Sequence, residues 1–272
     1  MTRSGIGSST GSPPTEKNSF SRRRLLGAGG ALLLSNQSRR HSAGAQTPVA
    51  TPLPPARLRV AVSALPGSFD PAAAQTLEHI WLNTLVYDSL ARWNAEGEVI
   101  PALGLNWFIT AYDRIIDLSL RPNAFFFGGK SLTADDVRWT LERLRNSEGT
   151  DDAWRLEHVW RIESLDPRTV RVILNAPDAS LVSSLASPVL AVLPDATNLS
   201  QVQAGTGPYA INFHSSELVT FNRNPLFWEM GRPNFQSLRV RRVRDDTERS
   251  TTLVTGAVDL IPGAPLLDIP TL

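Results

Sequence analysis

Leu120-Arg121-Pro122-Asn123-Ala124-Phe125-Phe126-Phe127-Gly128-Gly129-Lys130-Ser131-Leu132-Thr133-Ala134-Asp135-Asp136-Val137 admits two interpretations, and the choice between them sets the fold. Its centre, Ala124-(x4)-Gly129-Lys130-Ser131, satisfies the relaxed spacing of a phosphate-binding loop. That chemistry needs consecutive backbone amides curled round a phosphate, so the intervening residues must be small. Phe125, Phe126 and Phe127 fill those places instead, and alanine stands at the first position. Nor does a helix start straight after Lys130. The helix signal comes later, at Thr133, whose side chain can cap free amides, with Asp135 and Asp136 at the positive end of the helix dipole. Val137, Leu141 and Leu144 continue it as an apolar stripe. The stretch is a turn leading into a capped helix.

Outward from this helix, strands and helices are interspersed. Ile116, Leu118 and Leu120 alternate with Asp117 and Ser119, which predicts a strand facing a core on one side only. Val170, Val172 and Leu174 repeat that pattern after Asp166-Pro167. Upstream, Leu58 to Ser63 is apolar without clean alternation, as in a strand buried on both faces. Pro66, Gly67 and Asp70-Pro71 break it, and apolar residues at helical spacing predict a largely buried helix over 75–90. Glu96-Gly97 is a turn signal. Downstream, Tyr209 to Phe213 and Leu218 to Phe221 predict a strand pair, Leu238 to Val243 a further strand, and Asp245 to Val254 a helix stopped by Gly256, with Val258 to Leu260 following. No internal repeat is evident. The order points to an α/β or mixed α+β architecture.

The formal charge of +1 averages two unlike pieces. Residues 1–45 hold seven of the 27 basic residues and one acid, Glu16, so the remainder is mildly acidic and offers nucleic acid no electrostatic footing. There is no cysteine, which excludes disulfides, thiolate metal sites and a lipid-modified amino-terminal cysteine. Ser21-Arg22-Arg23-Arg24-Leu25-Leu26 opens a ten-residue apolar run to Leu34, too short to span a bilayer. With Ala43-Gly44-Ala45 as a small-x-small cleavage site, residues 1–45 are expected to be an export signal. Arg22 and Arg23 ahead of leucines resemble a twin-arginine signal, an ordinary secretory signal being the alternative. Residues 46–57, with Pro48, Pro52, Pro54 and Pro55, are expected to be an extended spacer.

Other chemical patterns dissolve on inspection. Gly7-Ser8-Ser9-Thr10-Gly11 matches a hydrolase nucleophile motif, yet it precedes the export signal and lacks a strand-to-helix turn. His41, His79, His158 and His214 are scattered without metal-ligand spacing, so no metal and no cofactor are expected. Arg239, Arg241, Arg242 and Arg244 are followed at once by Asp245, Asp246 and Glu248, which predicts a solvated, locally neutralised sheet edge. No enzyme mechanism emerges.

A series of motifs runs from Leu58 to Leu260. Leu58-Arg59-Val60-Ala61 leads to Ser68-Phe69-Asp70-Pro71; Leu85-Val86-Tyr87-Asp88-Ser89-Leu90, Ile100-Pro101-Ala102-Leu103 and Asn106-Trp107 follow. Leu120-Arg121-Pro122 continues through Phe126 and Gly129 to Leu132-Thr133-Ala134-Asp135-Asp136-Val137. Gly205-Thr206-Gly207-Pro208-Tyr209, Arg223-Asn224-Pro225 with Trp228, and Gly256-Ala257-Val258-Asp259-Leu260 complete it. In this order the series resembles the peptide/nickel-type family of extracellular solute-binding proteins that serve ATP-driven importers. Phe69 stands where the family has leucine, Gly128 where it has aspartate and Ser131 where it has proline.

The resemblance implies a lobe of the type II periplasmic-binding-protein fold, with residues 58–265 as the first segment of lobe one and 266–272 as the start of the interlobe crossover. Lobe two is then absent, and weak or no ligand retention is expected. It further implies a periplasmic, non-catalytic subunit with a peptide or similar small solute as ligand and a membrane permease as partner; a monomer is expected, and the lack of cysteine leaves it without a lipid anchor. Ligand contacts are expected from the loop after the first strand, at Leu65, Ser68, Phe69 and Asp70, and from Thr206, Gly207 and Tyr209. The competing functions are a fragment that no longer transports and an exported hydrolase, which would need a nucleophile–base pair.

Overall fold

In a computed structural model describing residues 56–110, 112–146, 152–197 and 204–263, the chain builds two four-stranded sheets, each over its own apolar core. Arg22 and Arg23, the cleavage site at 43–45, the spacer as far as Pro55 and the crossover at 266–272 lie outside the described residues. β1 (Arg57–Val62) leads through a single 3-10 turn at Pro71–Ala73 into α1 (Leu77–Val86). β2 (Ala91–Trp93) and β3 (Val99–Pro101) make a small hairpin, turned where Gly97 takes φ +80°. The next body is β4 (Gly104–Thr110), β5 (Ile115–Leu120), α2 (Ala134–Arg145), β6 (Val159–Asp166) and β7 (Thr169–Leu174). After the short α3 (Leu181–Ser184), the chain forms β8 (Tyr209–His214), β9 (Leu218–Arg223), β10 (Ser237–Arg242) and α4 (Asp246–Val254).

The first sheet is ordered β1-β10-β9-β8, with β1 parallel to β10 and the other pairs antiparallel. Val60, Val62, Leu238, Val240, Val219 and Phe221 pack with Leu82 and Val86 of α1 into one core. Two-sided burial of β1 holds at its carboxyl end alone: Val60, Ala61 and Val62 are buried, whereas Arg57 and Arg59 are exposed. Beyond α4 the segment expected as a strand makes a single parallel bridge, Val60 to Leu260, and the Ala61 amide donates to the Leu260 carbonyl at 3.1 Å. α1 is shorter and less buried than its spacing predicts. Thr76 caps it by accepting from the His79 amide at 3.1 Å, Leu77 is 85% exposed, and an extended Tyr87 ends it.

The second sheet is ordered β4-β5-β7-β6, antiparallel throughout. Its strict alternation puts Ile116, Leu118, Leu120, Val170, Val172 and Leu174 under Val137, Leu141 and Leu144 of α2, as the pattern predicts. The cap of α2 is a capping box with Thr133 at the expected cap position and Asp136 answering it. Asp136 reaches back and accepts from the amide and the hydroxyl of Thr133, both at 2.7 Å. The false phosphate loop is a tight hairpin: Phe125 bridges Ser131, the Phe126 amide donates to the Lys130 carbonyl at 2.8 Å, and Gly128 and Gly129 take φ of +104° and +95°. The Lys130 ammonium is tied to Asp136 at 2.6 Å and to Asp195, so it braces the hairpin against α2. No helix of the described residues is long and apolar enough to cross a membrane.

Candidate ligand-facing site

The loop after β1 is clamped from three sides. Glu78, in the first turn of α1, accepts from the Ser63 amide at 2.9 Å, the Ser63 hydroxyl at 2.5 Å and the Ala64 amide at 3.3 Å. Pro66 offers its carbonyl to His214 Nε2 at 2.9 Å. Phe69 stands edge-on to His214 and Phe221, with ring centroids 5.2 and 6.1 Å apart, and is buried. Asp70 accepts from the Ala72 amide at 3.1 Å, capping the 3-10 turn, and makes a forked pair with Arg143 of α2 at 2.9 and 3.0 Å. Both of those side chains are about 15% exposed, so the pair is a structural tie. Burial holds the His79 imidazole below its ordinary pKa, against the Ser68 carbonyl and the charge of Asp70, which favours the uncharged ring.

The second expected group sits at the far end of α1. The Gly207 amide donates to the Val86 carbonyl at 2.9 Å, and the Thr206 hydroxyl accepts from the Asp88 amide at 3.3 Å. A Cβ on Gly207 would lie 2.5 Å from the Val86 carbonyl carbon, and one on Gly205 only 1.8 Å from the Val86 oxygen. The glycines are therefore required for close packing on the helix end. Tyr209 is buried in the same core as Phe69, and burial pushes its phenol pKa up. The seven expected residues thus fall in two stretches of chain, the loop after β1 and the segment before β8, and Phe69 and Tyr209 share one apolar core. Phe69, Asp70, Thr206, Gly207 and Tyr209 are engaged in packing and internal hydrogen bonds. Leu65 is half-buried and Ser68 exposed, with the Ser68 hydroxyl accepting from the Asp70 amide at 3.1 Å.

A polar junction between the two bodies was not anticipated. Trp228 Nε1 donates to Asp88 Oδ2 at 2.8 Å, the Arg121 guanidinium lies 4.2 Å and that of Arg92 5.5 Å from the Trp228 ring centre, and Arg92 pairs with Glu229 at 3.1 Å. Asn123 completes it by donating to the Trp228 carbonyl at 3.1 Å. Desolvation pushes the Asp88 carboxyl up to about 7, against the opposing pull of Trp228, Arg92 and Arg121. Asp88 and Trp228 are 140 positions apart, so local sequence carries no signal of the contact.

Residues 98–272 match the model of the bacterial extracellular solute-binding proteins, family 5, middle region. The chain belongs to this family. Among curated family-5 relatives, the glutathione-binding protein GsiB of Salmonella typhi is 28% identical over 170 residues, covering 60% of this chain and 31% of GsiB. The nickel-binding protein NikA of Staphylococcus aureus is 28% identical over 184 residues, 66% of this chain and 36% of NikA. Among solved structures, the periplasmic binding protein AgaA of A. tumefaciens R10 in complex with agropinic acid superposes with a TM-score of 0.75 at 22% identity, over 79% of this chain and 45% of AgaA. DppA of Helicobacter pylori, an ABC transporter-associated periplasmic binding protein in complex with the peptide STSA, gives 0.71 at 24% identity, over 79% and 48%. The mixed α/β architecture is that of the periplasmic binding proteins. The family-5 chain described here spans about a third of the length of these curated relatives and just under half of these solved chains.

Proposed function

We propose that this chain captures small solutes for an ATP-driven importer, binding peptides or similar compounds and handing them to a membrane permease. The family-5 match across residues 98–272 carries this reading. It works as a monomer in the periplasm, exported by the signal at residues 1–45 with Arg22 and Arg23, spaced from it by residues 46–57, and free of a lipid anchor. Residues 58–265 form the first segment of lobe one, 266–272 begin the crossover, and catalysis plays no part. The ligand meets the loop after β1, where Leu65 and Ser68 offer surface while Phe69 and Asp70 hold the loop from beneath. A loop clamped before ligand arrives loses little entropy on binding, which lowers the ordering cost of the weak association expected here. Thr206, Gly207 and Tyr209 support the helix that positions it.

The test is nuclear magnetic resonance of the isotope-labelled chain during titration with a dipeptide, glutathione and a nickel–histidine complex in turn, a readout sensitive to weak association. At least one probe is expected to shift the amides of Leu65 to Ser68 in a saturable way, and Leu65→Ala to diminish the response. Shifts absent from that loop with all three probes would overturn the proposal.

A further inference from the structure

The outer face of the first sheet carries positive charge without the counter-charges that the sequence supplies nearby. β10 lies between β1 and β9, so it is an interior strand and not the expected edge. The expected neutralisation also fails. Asp245 caps α4 by accepting from the Glu248 amide at 2.7 Å, Asp246 pairs with Arg249 at 2.6 Å, and Arg242 takes Glu217. Among the described residues no acid forms an ion pair with Arg239 or Arg241.

Parallel register sets Arg59 beside Arg239 and Ala61 beside Arg241, on the face opposite the buried Val60 and Val240. Arg59, Arg239 and Arg241, together with Val60, Ala257 and Val258, line a hollow of about 250 Å³. One wall is fixed: Asp259 holds Arg59 through a forked pair at 2.6 and 3.0 Å, which cancels that charge and orients the side chain. The other two guanidiniums remain uncompensated two residues apart on one strand, and Arg241 Nε is buried with no hydrogen-bond partner. Like charges this close repel, and a buried donor without a partner costs free energy that an acceptor in the hollow would recover.

We infer that this hollow binds a small oxyanion carrying two negative charges, a phosphate group above all. Two uncompensated guanidiniums match a dianion, and their planar forks suit tetrahedral oxygens. The hollow is smaller than the usual cavity for a drug-sized ligand, which fits free phosphate or a compact phosphate ester. A phospholipid headgroup presents the same group as a diester with a single charge, and is the source to be separated from it.

The experiment is calorimetric titration of the whole chain with inorganic phosphate at constant ionic strength, near neutral pH. A single saturable site is expected. Arg239→Gln and Arg241→Gln should each weaken it about tenfold or more, since each removes a charge-assisted hydrogen bond. Ala257→Leu fills the hollow from an exposed position while sparing both arginines, and should abolish binding. Arg57→Gln removes an equal charge outside the hollow and should leave affinity within about twofold. Vesicles of phosphatidylglycerol should not sediment the chain. The inference fails if no saturable heat appears up to about 10 mM phosphate, if Ala257→Leu binds like the parent, if Arg57→Gln weakens binding as much as Arg239→Gln, or if vesicles capture the chain through Arg239. Thermal melts of each variant separate lost binding from lost folding.

Discussion

The sheet around β1 draws its strands from both ends of the described chain, whereas the sheet around β5 is drawn from one stretch between residues 104 and 174. Their outer faces differ as well. On the second sheet, Arg171 and Asp117 form a forked cross-strand pair at 2.7 Å, and Arg161 meets Glu163 at 2.9 Å, so charge is settled locally. On the first, Arg239 and Arg241 face the same side with no acid paired to them among the described residues. Paired charge on a solvated face serves solubility, and the unpaired charge beside the hollow is the ground for the anion site inferred above. The loop after β1 also belongs to the first body, so the features with binding potential gather on one of the two sheets. On the proposed reading the other sheet is the scaffold.

Three substitutions test that division, from the largest effect to the smallest. Gly207→Ala pushes a methyl into the Val86 backbone at 2.5 Å, where no flexible side chain can yield. A loss of about 3 kcal/mol or more is expected in urea denaturation, with hydrogen-exchange protection falling in β8 and β9 before β5 and β7. Equal loss in both sheets would show that the two bodies are one cooperative unit. Asp88 sharpens the comparison because it sits where they meet. Its folded carboxyl titrates at about 7 against an ordinary 3.8, so between those values the native protein holds the proton more tightly than the unfolded chain. Its contribution is fully present below the ordinary value and is withdrawn as pH rises through about 7. Asp88→Asn keeps an acceptor for Trp228 without the charge, and should raise stability by about 1–2 kcal/mol near pH 8 while changing little near pH 4. Melting curves at the two pH values decide it; a gain of the same size at both would mean that Asp88 is not the titrating group. Arg171→Ala, on the scaffold face, should cost about 0.5 kcal/mol or less, since its pair with Asp117 is roughly a third exposed. A cost above about 2 kcal/mol would place that pair among the structural ties of the fold.

What could be read from the sequence follows from where each residue's partner lies. β5, β7 and α2 announce themselves because one face of each is buried and the other wet, so alternation or a helical stripe appears in the chain. β4 and β6 border that sheet and keep Phe108, Ile109, Trp160 and Leu165 exposed, and no two-residue rhythm survives there. The site was half legible. Asp70-Pro71 marks the turn after β1, yet whether Phe69 faces a ligand or a core depends on His214 and Phe221, far away in sequence. The unpaired state of Arg239 and Arg241 was misread for a related reason. Asp245 and Asp246 are near in sequence, but the former is used by the α4 amides and the latter by Arg249.

β1 is the first described strand to be synthesised, and both of its neighbours come last, Val240 on one side and Leu260 on the other. The strand pairs of the second sheet need only residues 104–174, whereas the opening strand must await distant partners, and long-range pairing carries the greater closure entropy. The strand pairing of the second sheet can therefore precede that of β1 during synthesis. A chain released before residue 240 leaves its opening strand unsealed, with both edges free to pair with another molecule.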